Sequence, residues 1–378
     1  MINKPDEQLQ TGDNEQHPGM QFLIFAAILV GALIFGNLIG GGIVAAIYGT
    51  KPLLAMVSMD VTTPHFANAL WIIQITGTTF PIFITPVFFS YVVVKTPQDY
   101  IKPSFRIPWV LMLLVLAIML SSSPLIEFLS NINEKFNLPQ WMRDDENAAQ
   151  KLTDVMLQMN TVWNLIADVL IIGLLTAIAE EFMFRGVVQT IFMRWTNNQH
   201  AAVWITAILF SAFHMEFFGF LPRLLLGAMF GYFVVWTGSI WPAVLAHFIN
   251  NATDVILTYL SQHKKISINL DAPQIFNNTA YIFSFIIVLF FALDLPRHCT
   301  KKNKGAAIME KNWVRIYKST NFYQSEIVKQ MLIQHHIEAV LMNKQDSSIR
   351  SFGNIEVYVH QQEFNNAIEL LILNQIDL

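Results

Sequence analysis

The chain has 378 residues, 54% of them hydrophobic and 13% charged, with a net charge of −4 and a mean hydropathy of +0.44. Soluble domains carry about 25% charged residues, so this composition describes an integral membrane protein with several spans. A single cysteine, Cys299, excludes an intramolecular disulfide framework and a cysteine-based zinc site. No basic stripe with interleaved aromatics is present, which argues against nucleic acid as a partner.

Residues 1–20 are polar and lack the basic start of a cleaved signal. They read as a disordered cytoplasmic tail, with the first span retained. Eight apolar segments come next, near 21–48, 67–94, 108–129, 159–180, 201–217, 221–237, 240–259 and 279–295. Each is long enough, or nearly so, to cross ~30 Å of hydrocarbon as a helix. The fourth continues as a long helix toward Arg194. Only Phe218-Gly219-Phe220-Leu221-Pro222 separates the fifth from the sixth. Gly40-Gly41-Gly42 marks lenient packing or a break in the first span.

Lys95, Lys102 and Arg106 follow the second span, Arg194 the fourth, and Arg297, Lys301, Lys302 and Lys304 the eighth. Eight spans put all of these on one side, which by the positive-inside rule is cytoplasmic, together with both termini. Lys264 and Lys265, and the 130–158 loop with Lys135, Arg143 and Lys151, run against this assignment. A transmembrane domain over 21–296 therefore gives way to a basic linker over 297–311. Residues 312–378 read as a small soluble α+β domain. Its strands are 314–317, 337–342 and 355–359 and its helices 323–336 and 363–372, a βαββα order with helices on one face of a sheet. The expected fold is an all-α polytopic membrane protein followed by this domain.

In the second half of the membrane region the ionisable and amide residues are Asn164, Asp168, Glu180, Glu181, Arg185, His214, Glu216, Arg223, His247, Asn250, Asn251 and Asp254; they cluster in spans four to seven, while spans one to three are nearly free of charge. An ionisable group at bilayer depth costs roughly 2.5–3.5 kcal/mol or more, so each is a functional-site hypothesis. Glu181 and Arg185 are i,i+4 and pair on one helix face. Glu180 points about 100° away, free of that pair. His247 and Asn251 are also i,i+4. Counting ~1.5 Å per residue, Glu180 and His214 lie ~20 Å and His247 ~13 Å from the cytoplasmic ends. One carboxylate, two imidazoles and a carboxamide suit amide hydrolysis. The carboxylate takes a proton from water, an imidazole shares that water or protonates the leaving amine, and the others stabilise the oxyanion. Glu180, His214 and His247 equally form a zinc site with an open fourth position. Composition does not separate the two schemes.

Glu180-Glu181-x-x-x-Arg185, Phe210-x-x-x-His214 and His247-x-x-x-Asn251 resemble, in order and spacing, the three motifs of the CAAX-protease and bacteriocin-processing family of intramembrane endopeptidases. The resemblance covers about 160–255. It implies that Glu180 and His214 activate water, that His247 and Asn251 form the oxyanion site, and that Glu181 and Arg185 support the helix. It also implies a membrane-associated peptide or protein substrate and a bacterial inner-membrane location. The tail resembles a small bacterial domain described as a signal transducer, through His336-Ile337-Glu338-Ala339-Val340 and the Gly353-x-Ile355-Glu356-Val357 strand. That likeness implies little chemistry; a cytoplasmic ligand or partner is the expectation for this domain.

Other readings carry less weight. Asp168 and Asp254 lack a Gly-x-Gly-Asp setting for aspartyl proteolysis. Ser239 lacks a Gly-x-Ser-x-Gly frame. His335, His336 and His360 read as surface or capping residues rather than metal ligands. A non-proteolytic scaffold or immunity protein acting through the tail is the alternative to an enzyme, and a proton-coupled transporter ranks last for want of paired broken helices.

Overall fold

The computed structural model describes residues 16–105, 107–266, 275–290, 313–319, 321–343, 355–374 and 376. Most of the polar tail, the basic linker, Arg106, Cys299 and Gly353 lie outside them. The chain separates into two compact units, one ending at Pro296 and the other beginning at Arg297.

The first unit is helical. Its elements are α1 (Pro18–Tyr48), α2 (Lys51–Ser58), α3 (Phe66–Val93), α4 (Pro97–Ile101), α5 (Trp109–Asn133), α6 (Gln140–Met156) and α7 (Val162–Thr196). Then come α8 (Gln199–Phe213), α9 (Phe220–Thr237), α10 (Trp241–Gln262) and α11 (Asn278–Phe290). Among the described residues, five helices are long and apolar enough to cross a membrane: α1, α3, α5, α7 and α9 with its preceding turn. The expected count of eight is not reached. At 15 residues, α8 spans only about 22 Å. His247, Asn250, Asn251 and Asp254 make α10 too polar, although it has 22 residues. The described part of α11 is short.

Hydrogen bonds and an ion pair fix which helix ends lie together. Tyr100 donates its hydroxyl to Gln21 at the start of α1, Arg194 at the end of α7 pairs with Asp99 at 3.3 Å, and Ile240 N donates to Lys102 O at 3.2 Å. The starts of α1 and α10 and the ends of α3 and α7 therefore share one end of the bundle. At that end Trp241 Nε1 donates to Pro103 O at 3.1 Å and its ring stacks on Phe105, which anchors α10.

The glycine run does not break α1, which is continuous. The packing residues are Gly36 and Gly40, one turn apart. A Cβ on Gly36 would collide with Thr76 O, and one on Gly40 with Thr76 Oγ1. Small residues at this spacing let two membrane helices approach backbone to backbone. On α5, Pro124 removes one link of the hydrogen-bond ladder, and Ser284 of α11 bridges the next one. Its hydroxyl donates to Ser121 O at 2.6 Å and accepts from Leu125 N at 3.2 Å.

Lys102 lies outside the spans and donates to Thr190 Oγ1. Burial, with Arg194 adding to it against Asp99, pushes its ammonium down from 10.5 to about 8. Below pH ~8 both folded and unfolded chains carry the proton and the burial cost is full. Between about 8 and 10.5 the unfolded chain holds a proton that the folded one has released, so stability rises with pH. Thermal unfolding from pH 7.5 to 10.5 is expected to show a rise of roughly 1–3 kcal/mol, allowing for partial exposure. Lys102→Met should flatten it; an unchanged slope would place the titration elsewhere.

In the second unit, β1 (Trp313–Ser319), α12 (Phe322–Gln334), β2 (Ala339–Asn343), β3 (Ile355–His360) and α13 (Phe364–Leu373) follow the expected order. The sheet is antiparallel in the order β1-β3-β2. Ile316, Val328, Leu332, Val357, Val359 and Leu371 form a shared core, which places both helices against the sheet.

Candidate active site

The centre is built on α7. Two π-type turns, Val169–Leu175 and Phe182–Val188, bracket the stretch that carries Glu180 and Glu181. Each inserts one extra residue into a turn and rotates the downstream residues by about 100°. The first is tied down from outside the backbone ladder. Thr176 Oγ1 donates to Ile171 O at 3.1 Å, and Asn251 Nδ2 to Ile172 O at 3.2 Å. In the second, Arg185 Nη2 donates to Gly227 O of α9 at 3.1 Å.

Glu181 and Arg185 are both fully buried, with Nη1 2.9 Å from Glu181 Oε1. The guanidinium sits over the rings of Phe210 at 4.4 Å and Phe230 at 5.2 Å, a cation–π setting. The same Glu181 oxygen lies 2.9 Å from His247 Nδ1. A bond from Nδ1–H to this carboxylate fixes the tautomer and leaves Nε2 facing inward. His214 is set in a similar way, with Nδ1 2.8 Å from Phe210 O.

Both Nε2 atoms then converge on one oxygen. Glu180 Oε2 is 3.8 Å from His214 Nε2 and 3.9 Å from His247 Nε2, is buried, and has no hydrogen-bond partner. Three acceptors around one point, with no donor among them, require a water, a cation or a shared proton. Phe210 and Phe230 wall the imidazoles, with Phe230 stacked on His247 at 5.1 Å.

Glu180, His214 and His247, expected from sequence, are thus brought together. Asn251 is one turn along α10 from His247, and the contacts it makes are with Ile172 and Asn250. The remaining polar residues serve elsewhere. Asn164 completes the capping box of α7 with Thr161. Glu216 pairs with Arg223. Asp254 lines a separate cavity of about 650 Å³ with Glu127 and Glu134. Ser239 donates to Ser104 O at 2.6 Å and caps a loop. Sequence reasoning missed the second partner of Glu181, because His247 is 66 residues away and no local spacing links them.

The donor set is of the type that catalytic zinc takes, with Nδ1 of each imidazole already bonded. A tetrahedral zinc with bonds of ~2.0–2.1 Å holds its donors about 3.3 Å apart, so the observed spacing is wider. No three acidic, histidine or cysteine side chains stand within reach of one ion among the described residues. As placed, the gap suits a water.

Fold and site together define a polytopic membrane protein with a buried carboxylate–imidazole centre. Residues 162–253 match the family described as type II CAAX prenyl endopeptidase Rce1-like. That stretch runs from the first residue of α7 into α10 and includes every residue of the centre. The chain is also similar to the uncharacterized protein YpbD of Bacillus subtilis (strain 168), 31% identical over 91 residues, which is 23% of this chain and 43% of that relative. The match spans less than half of the relative's length. No solved structure matches.

Proposed function

We propose that the chain is an intramembrane endopeptidase that hydrolyses a peptide bond of a membrane-associated protein or peptide, in a bacterial inner membrane with both termini cytoplasmic. The observation that carries this reading is the unpartnered Glu180 oxygen facing two bare imidazole nitrogens. The family match over the same residues supports it. A water placed there donates one hydrogen to Glu180 and the other to His214. As it attacks the scissile carbonyl, its proton passes to Glu180, which then delivers it to the leaving amine. His247, whose Nδ1 donates to Glu181, faces the developing oxyanion once its bare Nε2 has taken up a proton from solvent, the imidazolium then donating to the oxyanion. Asn251 has a second amide hydrogen beyond the one given to Ile172 and adds a donor on the same helix. The C-terminal α+β unit enters the proposal as a module for a cytoplasmic ligand or partner.

Should zinc bind, Glu180, His214 and His247 would hold it and it would supply Lewis-acid polarisation of the carbonyl. The proposed step does not require it. Purified protein treated with a chelator is expected to cleave a membrane-anchored reporter within about 2-fold of the untreated rate. His214→Ala should lose roughly 10²–10⁴-fold. Chelator-sensitive cleavage restored by zinc would overturn the direct glutamate scheme, and full activity of His214→Ala would overturn the site assignment.

A further inference from the structure

The helix that carries His214 has no stop signal of its own. α8 ends at Phe213 with His214 as its C-cap, and the next residue, Met215, is left-handed at φ 56°. That position is usually glycine, because a Cβ is strained there. Something outside the helix must impose the turn, and strain at a site residue persists only where its surroundings over-determine it.

The turn is held at nearly every residue. Arg223 binds both the carboxylate and the carbonyl of Glu216. Phe218 N donates to Glu146 of α6 at 3.2 Å, and Ser211 Oγ donates to Phe220 O at 2.7 Å. The longest-range bonds come from Asn133, the last residue of α5, which is 1% exposed. Its Nδ2 donates to Phe217 O at 2.6 Å, and its Oδ1 accepts from Leu221 N at 2.8 Å. One carboxamide thus closes both sides of the turn, its Nδ2 donating to one and its Oδ1 accepting from the other.

We infer that Asn133 is a positioning residue for His214: it clamps the strained α8–α9 turn and so fixes where α8 ends and where the imidazole sits. This rests on the hydrolytic reading of the centre. His214 is bonded back to Phe210 O within α8, so its ring follows the last turn of that helix. Without the clamp, Met215 relaxes out of the left-handed region, the last turn of α8 frays or extends, and Nε2 leaves Glu180. A displacement on the order of 1 Å costs roughly 10²-fold in rate.

The test uses the full chain in detergent or nanodiscs, with a membrane-anchored peptide reporter and backbone amide exchange. Asn133→Ala should lower kcat roughly 10- to 100-fold, with KM within about 2-fold. Exchange across 215–221 should accelerate while that of α7 stays native. Adding Met215→Gly, which removes the left-handed penalty, should recover several-fold of the lost kcat. Asn133→Asp, which keeps the acceptor for Leu221 and loses the donor to Phe217, should fall between native and Ala in both readouts. A native kcat in Asn133→Ala, a loss of kcat with native exchange at the turn, or no recovery on adding Met215→Gly would each overturn the clamp. Should Asn133→Ala fail to fold, Asn133→Asp decides by the same exchange and kcat criteria. Amide exchange does not depend on cleavage, so the clamp is decided even if Glu180→Gln proves active and the hydrolytic reading falls.

Discussion

Glu180→Gln is expected to lower reporter cleavage by roughly 10²–10⁴-fold while leaving the fold as stable as the native protein or slightly more so. The substitution keeps volume and shape but removes the group that accepts the proton of water, and a positioned general base contributes typically 10²–10⁴-fold. Its effect on stability has the opposite sign. Glu180 Oε2 is buried without a hydrogen-bond partner, and an unpaired carboxylate at this depth costs free energy. Neutralising it should raise the unfolding midpoint by an amount worth about 1 kcal/mol, the pattern of a residue kept for chemistry at the expense of stability. Measuring both on one preparation separates the readings. Lost cleavage with lost stability would make Glu180 a packing residue, and cleavage within about 10-fold of native would end the proposed mechanism. Zinc content of the native and Gln proteins adds a third axis, because only a ligand role predicts that bound metal falls with the substitution.

What the sequence carried well was local. The long α7, the pairing of Glu181 with Arg185 four residues on, and the strand–helix order of the C-terminal unit all derive from periodicity within one element. Glu180, His214 and His247 were legible as a set because buried polar groups are scarce in an apolar chain and fall on successive segments. The π-type turns flanking Glu180–Glu181 were not legible. Carbonyls of the first are satisfied by Thr176 and, across helices, by Asn251, the second is tied to α9 by Arg185, and no residue pattern within α7 announces that. The glycine run drew attention to Gly40-Gly41-Gly42, yet the close approach uses Gly36 and Gly40, while Gly41 and Gly42 face open space. Which glycines matter depends on where Thr76 lies. Asn133 was invisible for a similar reason, since an asparagine at a helix end reads as a cap until its partners 84 and 88 residues away are known. The count of eight spans is not reached at α10, because His247, Asn250, Asn251 and Asp254 lower the hydropathy of that 22-residue helix.

Glu181 carries the second large expectation, and the double variant is the informative one. Glu181→Ala leaves Arg185 fully buried with Gly227 O as its remaining acceptor and three aromatic rings around it. Removing one partner of a buried ion pair typically costs 3–5 kcal/mol, because the other charge is left uncompensated. Replacing both partners by apolar residues of similar size is often neutral, so Glu181→Leu with Arg185→Met should return the unfolding midpoint to within an equivalent of about 1 kcal/mol of native. Cleavage should not return with it. His247 Nδ1 would have lost the oxygen 2.9 Å away that sets its tautomer and aims Nε2 at the centre, and loss of such an orienting partner typically costs 10–100-fold. A stable double variant with a kcat still down by that factor assigns Glu181 to His247 as well as to the helix. A stable double variant with native kcat reduces Glu181 and Arg185 to the helix-holding pair that their spacing alone describes. The imidazole would then have to be aimed by the rings of Phe210 and Phe230, making Phe230, stacked on His247, the next residue to change.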